Sequence, residues 1–117
     1  MPYFDLKDIA EELVAPGKSA AMARMITGSQ VEFAILRFKQ GEGAKVHWHP
    51  QEQILYMLKG RMEITSEGSV RVIGPGEAAL FAPDVPHGTL MLEDVECVSV
   101  KGLVGGLGHR QQPSTAG

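Results

Sequence analysis

The stretch Gly41-Glu42-Gly43-Ala44-Lys45-Val46-His47-Trp48-His49-Pro50-Gln51-Glu52-Gln53 runs on through Ile54-Leu55-Tyr56-Met57-Leu58-Lys59 to Gly60. It reads as loop, strand, loop and strand. Gly41 and Gly43 mark the opening loop, Val46 to His49 and Ile54 to Leu58 are short runs rich in strand-forming residues, and Lys59-Gly60 is a turn. Side chains at i and i+2 of a strand share a face, so His47 and His49 are predicted to project the same way, spaced to grip one ion. Such a pair arises readily by chance in a chain with four histidines, so the surroundings must carry the reading.

On both sides the same pattern continues. Ala20 to Thr27 and Val31 to Lys39, joined through Gly28-Ser29, are predicted to form a hairpin. Val31 to Phe38 is apolar at nearly every position, as in a strand covered on both faces by a second sheet or a second subunit. Downstream come Met62 to Thr65, Val70 to Ile73, Ala78 to Phe81, Gly88 to Leu92 and Val95 to Lys101, separated by glycine- or proline-containing breaks. Many short antiparallel strands at even spacing predict a small β-sandwich or barrel. One short helix is expected at the amino terminus, where Leu6, Ile9, Ala10 and Leu13 fall at helical spacing behind Asp5 as N-cap and ahead of Pro16-Gly17.

Composition agrees with this. The 117 residues suffice for one core but not two, and 44% hydrophobic with 21% charged residues is ordinary for a folded chain. Fourteen glycines and seven prolines disfavour a helical bundle. A single domain is expected over residues 1–110, with Gln111 to Gly117 as a polar, disordered tail. A net charge of −3, with Lys and Arg scattered, argues against a nucleic-acid partner. No apolar run is long enough to cross a membrane, and the first residues lack a secretory pattern, so a cytoplasmic protein is expected. The single cysteine, Cys97, forbids an intrachain disulfide and a multi-thiolate zinc site, so any metal must be held by nitrogen and oxygen.

Two motifs in register then point to a family. Gly41, His47, His49, Gln53 and Gly60 stand at the intervals of the first cupin motif, with Gln53 where most members carry Glu. Gly76, Pro83, Pro86 and His87 follow the second motif, with Met91 where many members have Asn. The chain therefore resembles a small single-domain cupin, with motifs at 41–60 and 76–91. That resemblance implies an all-β double-stranded β-helix barrel, an antiparallel β-sandwich with a metal at its centre, and a homodimer. The expected ligands are His47, His49 and His87, with Gln53 preferred over Glu52 because Gln53 keeps the parity of the histidines. His109 is a further candidate, as ligand or as a movable acid or base, because Gly105, Gly106 and Gly108 permit a return path to the barrel mouth. Arg110 is either ordinary surface charge or a contact for an anionic substrate.

Parity places Leu55 and Met57 with Gln53, and Met91 with His87, as an apolar wall for a substrate or as plain core. Neutral ligands leave a divalent ion its full charge, a strong Lewis acid suited to holding an enolate. Zinc suits an imidazole-rich, redox-silent site, though ligand type alone does not separate it from nickel, manganese or iron. Within cupins the motif stretches look like the aromatic polyketide cyclases, which close poly-β-ketone chains by aldol chemistry. They look equally like enzymes that open unsaturated uronate sugars to keto forms. The apolar parity set favours the cyclase, with a polyketide chain as substrate. A ligand-binding cupin without catalysis is the alternative of another class.

Overall fold

The computed structural model describes residues 1–16 and 19–110; the expected tail at 111–117 lies outside them. Ten strands follow one another: β1 (Glu12–Leu13), β2 (Met22–Thr27), β3 (Val31–Phe38), β4 (Gly43–His47), β5 (Gln53–Lys59), β6 (Met62–Ser66), β7 (Ser69–Ile73), β8 (Ala78–Phe81), β9 (His87–Met91) and β10 (Val95–Gly102). They form a six-stranded sheet in the order β1-β2-β3-β10-β5-β8 and a four-stranded sheet in the order β4-β9-β6-β7. Every pairing is antiparallel, and β2 and β3 form the expected hairpin.

The core lies between the sheets because each strand turns alternate side chains inward. Ala23, Met25, Ala34, Leu36, Leu55, Met57, Phe81 and Cys97 come from the larger sheet and meet Met62, Ile64, Ile73 and Met91 from the smaller one. Cys97 packs as a small hydrophobe, and burial pushes its thiol up to about 12, far from a reactive thiolate. In β3 one face is covered within the chain by the second sheet. Glu32, Ala34 and Leu36 are buried, while Phe33 and Ile35 are partly exposed on the outer face.

The amino terminus departs from the expected helix. Asp5 does cap a turn, its side chain accepting from the Lys7 amide, but the turn is a 3₁₀ helix of only Leu6–Asp8 and Ile9 is already extended. None of its residues is buried, and of the Leu6, Ile9, Ala10 and Leu13 stripe Leu6 and Ile9 are only partly covered while Ala10 and Leu13 are exposed, too little burial to support so short a helix. The following residues instead satisfy their backbone as an edge strand against β2, and the Glu11 and Glu12 carboxylates are gripped by Arg37 and Arg110. Among the described residues no helix is long and apolar enough to cross a membrane.

Two backbone devices couple the motifs. Gly41, at φ +86°, donates its amide to the Met91 carbonyl while the Met91 amide donates to Glu42, which joins the start of the first motif to the end of the second. Gly60, at φ +82°, passes so close to the Asp94 carbonyl that a Cβ would collide with it. Gly68 shares the left-handed conformation, at φ +78°, but faces open space. Gly68→Ala should therefore lose about 1–2 kcal/mol, the left-handed cost alone, whereas Gly60→Ala should lose clearly more, both read by chemical denaturation.

Candidate metal centre

Strand pairing builds the centre. β4 and β9 run antiparallel with His47 directly opposite His87, after an irregularity in β4 between Ala44 and His47. His49 is not in the strand as expected, because β4 ends at His47. The chain turns outward through Trp48, which is 66% exposed, and returns His49 to the same point. That return is strapped in place by the Asp84 amide, which donates to the His49 carbonyl at 2.8 Å. Asp84 itself is left-handed at φ +63°, a conformation that Asp tolerates better than most residues, and it sits in the Pro83–Pro86 turn that delivers His87. One turn thus positions two histidines.

The three rings have centroids 4.7–5.7 Å apart, and their ligand nitrogens all lie within 4.8 Å of one another. Each Nδ1 faces a backbone carbonyl: His47 to Lys45 at 2.7 Å, His49 to Gln51 at 2.9 Å and His87 to Val85 at 3.0 Å. A carbonyl has no proton to give, so each Nδ1 carries the hydrogen and each Nε2 presents a lone pair. The Phe81 ring stacks on His87 at 4.2 Å and holds its plane. His49 Nε2 is buried with no hydrogen-bond partner among the described residues, which an apolar packing site would not tolerate. Burial, and then the charge of Lys101, drive the His49 imidazole down to about 4, and burial lowers His87 as well. All these features fit a divalent cation held by His47, His49 and His87.

Gln53 opens β5 and is buried, on the inward parity expected of it, while Glu52 is exposed. Its Nε2 donates to Ser99 Oγ at 2.9 Å, which leaves Oε1 as the atom with which Gln53 would join an ion. His109 does return to the barrel, but it stands outside the three-histidine group. Its Nε2 accepts from Ser99 Oγ at 2.7 Å, and its Nδ1 and backbone amide donate to Glu32 Oε1 at 2.7 and 2.6 Å. Both ring nitrogens are therefore engaged within the protein, and burial pushes the ring down to about 4, keeping it neutral. Burial pushes the Glu32 carboxyl up, but hydrogen bonds from Thr27 and from the His109 amide and ring outweigh that and hold it below the ordinary value. Arg110 grips Glu12 through two hydrogen bonds and stands 3.6 Å from Glu32, so its charge is committed to carboxylates of the chain. Leu55, Met57 and Met91 are buried members of the hydrophobic core.

Sequence reasoning missed Glu32, Ser99 and Lys101. The signal was present: each is a polar residue among apolar neighbours, and Ser99 and Lys101 share the inward parity of Val95 and Cys97.

Metal analysis should find about one divalent ion per chain, and His49→Ala should abolish it. Between pH 6.5 and about 4 the unfolded chain takes up protons that His49 and His109 refuse when folded. Stability of the metal-free protein is then complete above pH 6.5 and falls as the pH drops toward 4, with Glu32 adding to the loss below its ordinary value of 4.5. A thermal-melt series across pH reads this, and a flat profile would refute it. His109→Ala should cost about 2 kcal/mol or more by leaving Glu32 short of donors, and adding Glu32→Gln should cost less than the two losses together.

Comparison with known proteins agrees with this geometry. The fold superimposes on an RmlC-like cupin from Shewanella frigidimarina with a TM-score of 0.77, at 16% identity over 88% of this chain and 91% of that one. It superimposes on KdgF from Halomonas sp. with a TM-score of 0.76, at 23% identity over 87% and 93%. A mutant of Bacillus subtilis oxalate decarboxylase matches with a TM-score of 0.71 at 24% identity; 85% of this chain spans only 28% of that one, an enzyme with Mn(II) centres. At these identities the likeness is one of fold. No curated protein sequence matches the chain. Residues 34–101, more than half of the chain, match the cupin domain, and the protein belongs to the cupin family.

Proposed function

We propose that this cupin is a metal-dependent cyclase that promotes aldol-type ring closure of a poly-β-ketone in aromatic polyketide biosynthesis. The observation that carries the reading is the set of three imidazoles, each fixed by a backbone carbonyl at Nδ1, with no carboxylate among them. A divalent ion there, with zinc preferred, would keep its full charge and stabilise the enolate of a 1,3-dicarbonyl.

The chain's own residues shape that site. Ser99 fixes the Gln53 amide, and His109, tied to Glu32, fixes Ser99. With both nitrogens occupied and only 4% exposure, His109 acts as a positioning residue. His47 is partly exposed, which gives the side from which a substrate would approach the centre. The protein acts on its substrate as a cytoplasmic homodimer in this reading, a state the family resemblance implies.

One observation favours a second reading, the opening of an unsaturated uronate. The inward residues beside Gln53 are polar, namely Glu32, Ser99, Lys101 and His109, and the candidate apolar wall is packed into the core. A polar lining suits a hydroxylated substrate.

The deciding experiment supplies a minimal polyketide synthase with this protein and compares the ring pattern with that formed in its absence. A shifted pattern that requires His49 is expected. An unchanged pattern, together with ring-opening isomerisation of an unsaturated uronate, would establish the sugar enzyme instead. Gln53→Glu should leave metal content equal or higher while turnover falls, because the added anion offsets part of the ion's charge. Unchanged turnover at full metal content would remove Gln53 from the site.

A further inference from the structure

Lys101 is the unexplained charge of this interior. It lies on the inward face of β10, paired in register with Glu32 on β3 and with Gln53 on β5, and it is 7% exposed. Among the described residues no hydrogen bond or ion pair is made to its ammonium group, although a carboxylate stands on the neighbouring strand. Glu32 does not serve it because its oxygens are already met by the Thr27 hydroxyl, the His109 amide and ring, and Arg110. Burial drives the Lys101 amine down to about 8, partly offset by Glu32, and its charge in turn depresses His49, His87 and His109. Lys101, Gln53 and Phe81 stand in one cross-strand row of inward residues, and the Phe81 ring stacks on His87, so the row leads from Lys101 to the three-histidine centre.

A lysine turned inward to 7% exposure, with no partner for its ammonium among the described residues, is placed to meet a group from outside the chain. We infer that Lys101 is a substrate-recognition residue that pairs with a carboxylate of the substrate beside the three-histidine centre, so that the substrate class is a keto acid. This rests on the proposed function in placing the substrate at that centre. A carboxylate fits better than a phosphate because the site offers a single compact ammonium. The Arg110 guanidinium is bound to Glu12 and Glu32, and no second buried lysine or arginine lines the described interior. Three imidazoles add no negative charge to oppose an anion, so a metal-loaded centre and Lys101 would attract it together.

The test is calorimetric binding of malonate to the metal-loaded protein, with malonamide as the uncharged counterpart. Lys101→Met keeps the length of the side chain and removes a charge from a nearly buried position, so it should fold with an equal or higher melting temperature. Malonate affinity should fall about tenfold to a hundredfold in this variant, while malonamide should bind both proteins alike. Lys101→Gln should show the same loss, which guards against a packing effect peculiar to Met. Equal malonate affinity in wild type and Lys101→Met would overturn the inference. So would inorganic phosphate binding as tightly as malonate, or a borohydride-trapped adduct of acetoacetate on Lys101, which would make the amine a covalent group. The same titration on chelator-treated protein separates the two proposals. A protein that takes up no metal on reloading yet binds malonate in a Lys101-dependent way would leave this inference standing and remove the metal reading. A full metal complement with malonate indifferent to Lys101 would do the reverse.

Discussion

A carboxylate sealed inside a β-barrel must have its oxygens met, and one end of this molecule is organised around how Glu32 achieves that. Water is excluded from the position, so donors must come from the chain itself. Thr27 supplies one from the neighbouring strand, and the segment after β10 supplies the rest by folding back so that His109 and Arg110 reach the carboxylate. The return path is tight: Gly108 lies so near the Glu32 side chain that a Cβ there would approach Oε1 to 2.8 Å. The Gln51 side chain donates to the Leu107 carbonyl and fastens the same segment beside the histidine loop. The anchoring of a glycine-rich segment thus follows from one buried charge.

The consequence runs on to Gln53 of β5. Satisfying Glu32 fixes the His109 tautomer with its hydrogen on Nδ1, so Nε2 must accept, and Ser99 is the donor. Ser99 then has its oxygen free to accept from Gln53, which orients that amide. Each bond dictates the sense of the next, an arrangement in which removing one member leaves another buried group unmet. The three histidines follow a parallel logic with backbone carbonyls as the fixed acceptors, so their lone pairs are aimed before any ion arrives.

These two arrangements give the interior a division of labour. One end of the inner surface is apolar and packed, with Met57, Met62 and Met91 fully closed into the core. The other is polar, with the three histidines of β4, β9 and the loop between β4 and β5, and the bonded chain of Glu32, His109, Ser99 and Gln53 from β3, β5, β10 and the segment after it. That asymmetry is what makes a cupin barrel a site as well as a scaffold: the apolar part stabilises the fold, and the polar part, at some expense in stability, holds ligating and charged groups in place.

The sequence by itself determined the strands and the three histidines. Alternating apolar runs cut by glycine and proline place nine of the ten strands close to where they lie, because period and turn chemistry are local properties. The motif intervals brought His47, His49 and His87 together on paper for a similar reason, since a strand pairing that is set by its loops carries its residues with it. Parity also put Gln53 inward. The tertiary structure alone decided the rest. Whether Leu6 to Leu13 became helix or extended chain depended on what it could pack against and pair with, and β2 offered an edge to which Glu12 and Leu13 pair. Whether Leu55, Met57 and Met91 lined a cavity or filled a core depended on the opposite sheet, which closes over them. The roles of Glu32, Ser99, Lys101 and His109 depended on which strands became neighbours: Glu32 and His109 are 77 positions apart, and only the pairing of β3 with β10 and the return of the chain make them partners. Long-range hydrogen bonds between buried polar groups leave no period in a sequence, because their geometry exists only after the sheets have formed.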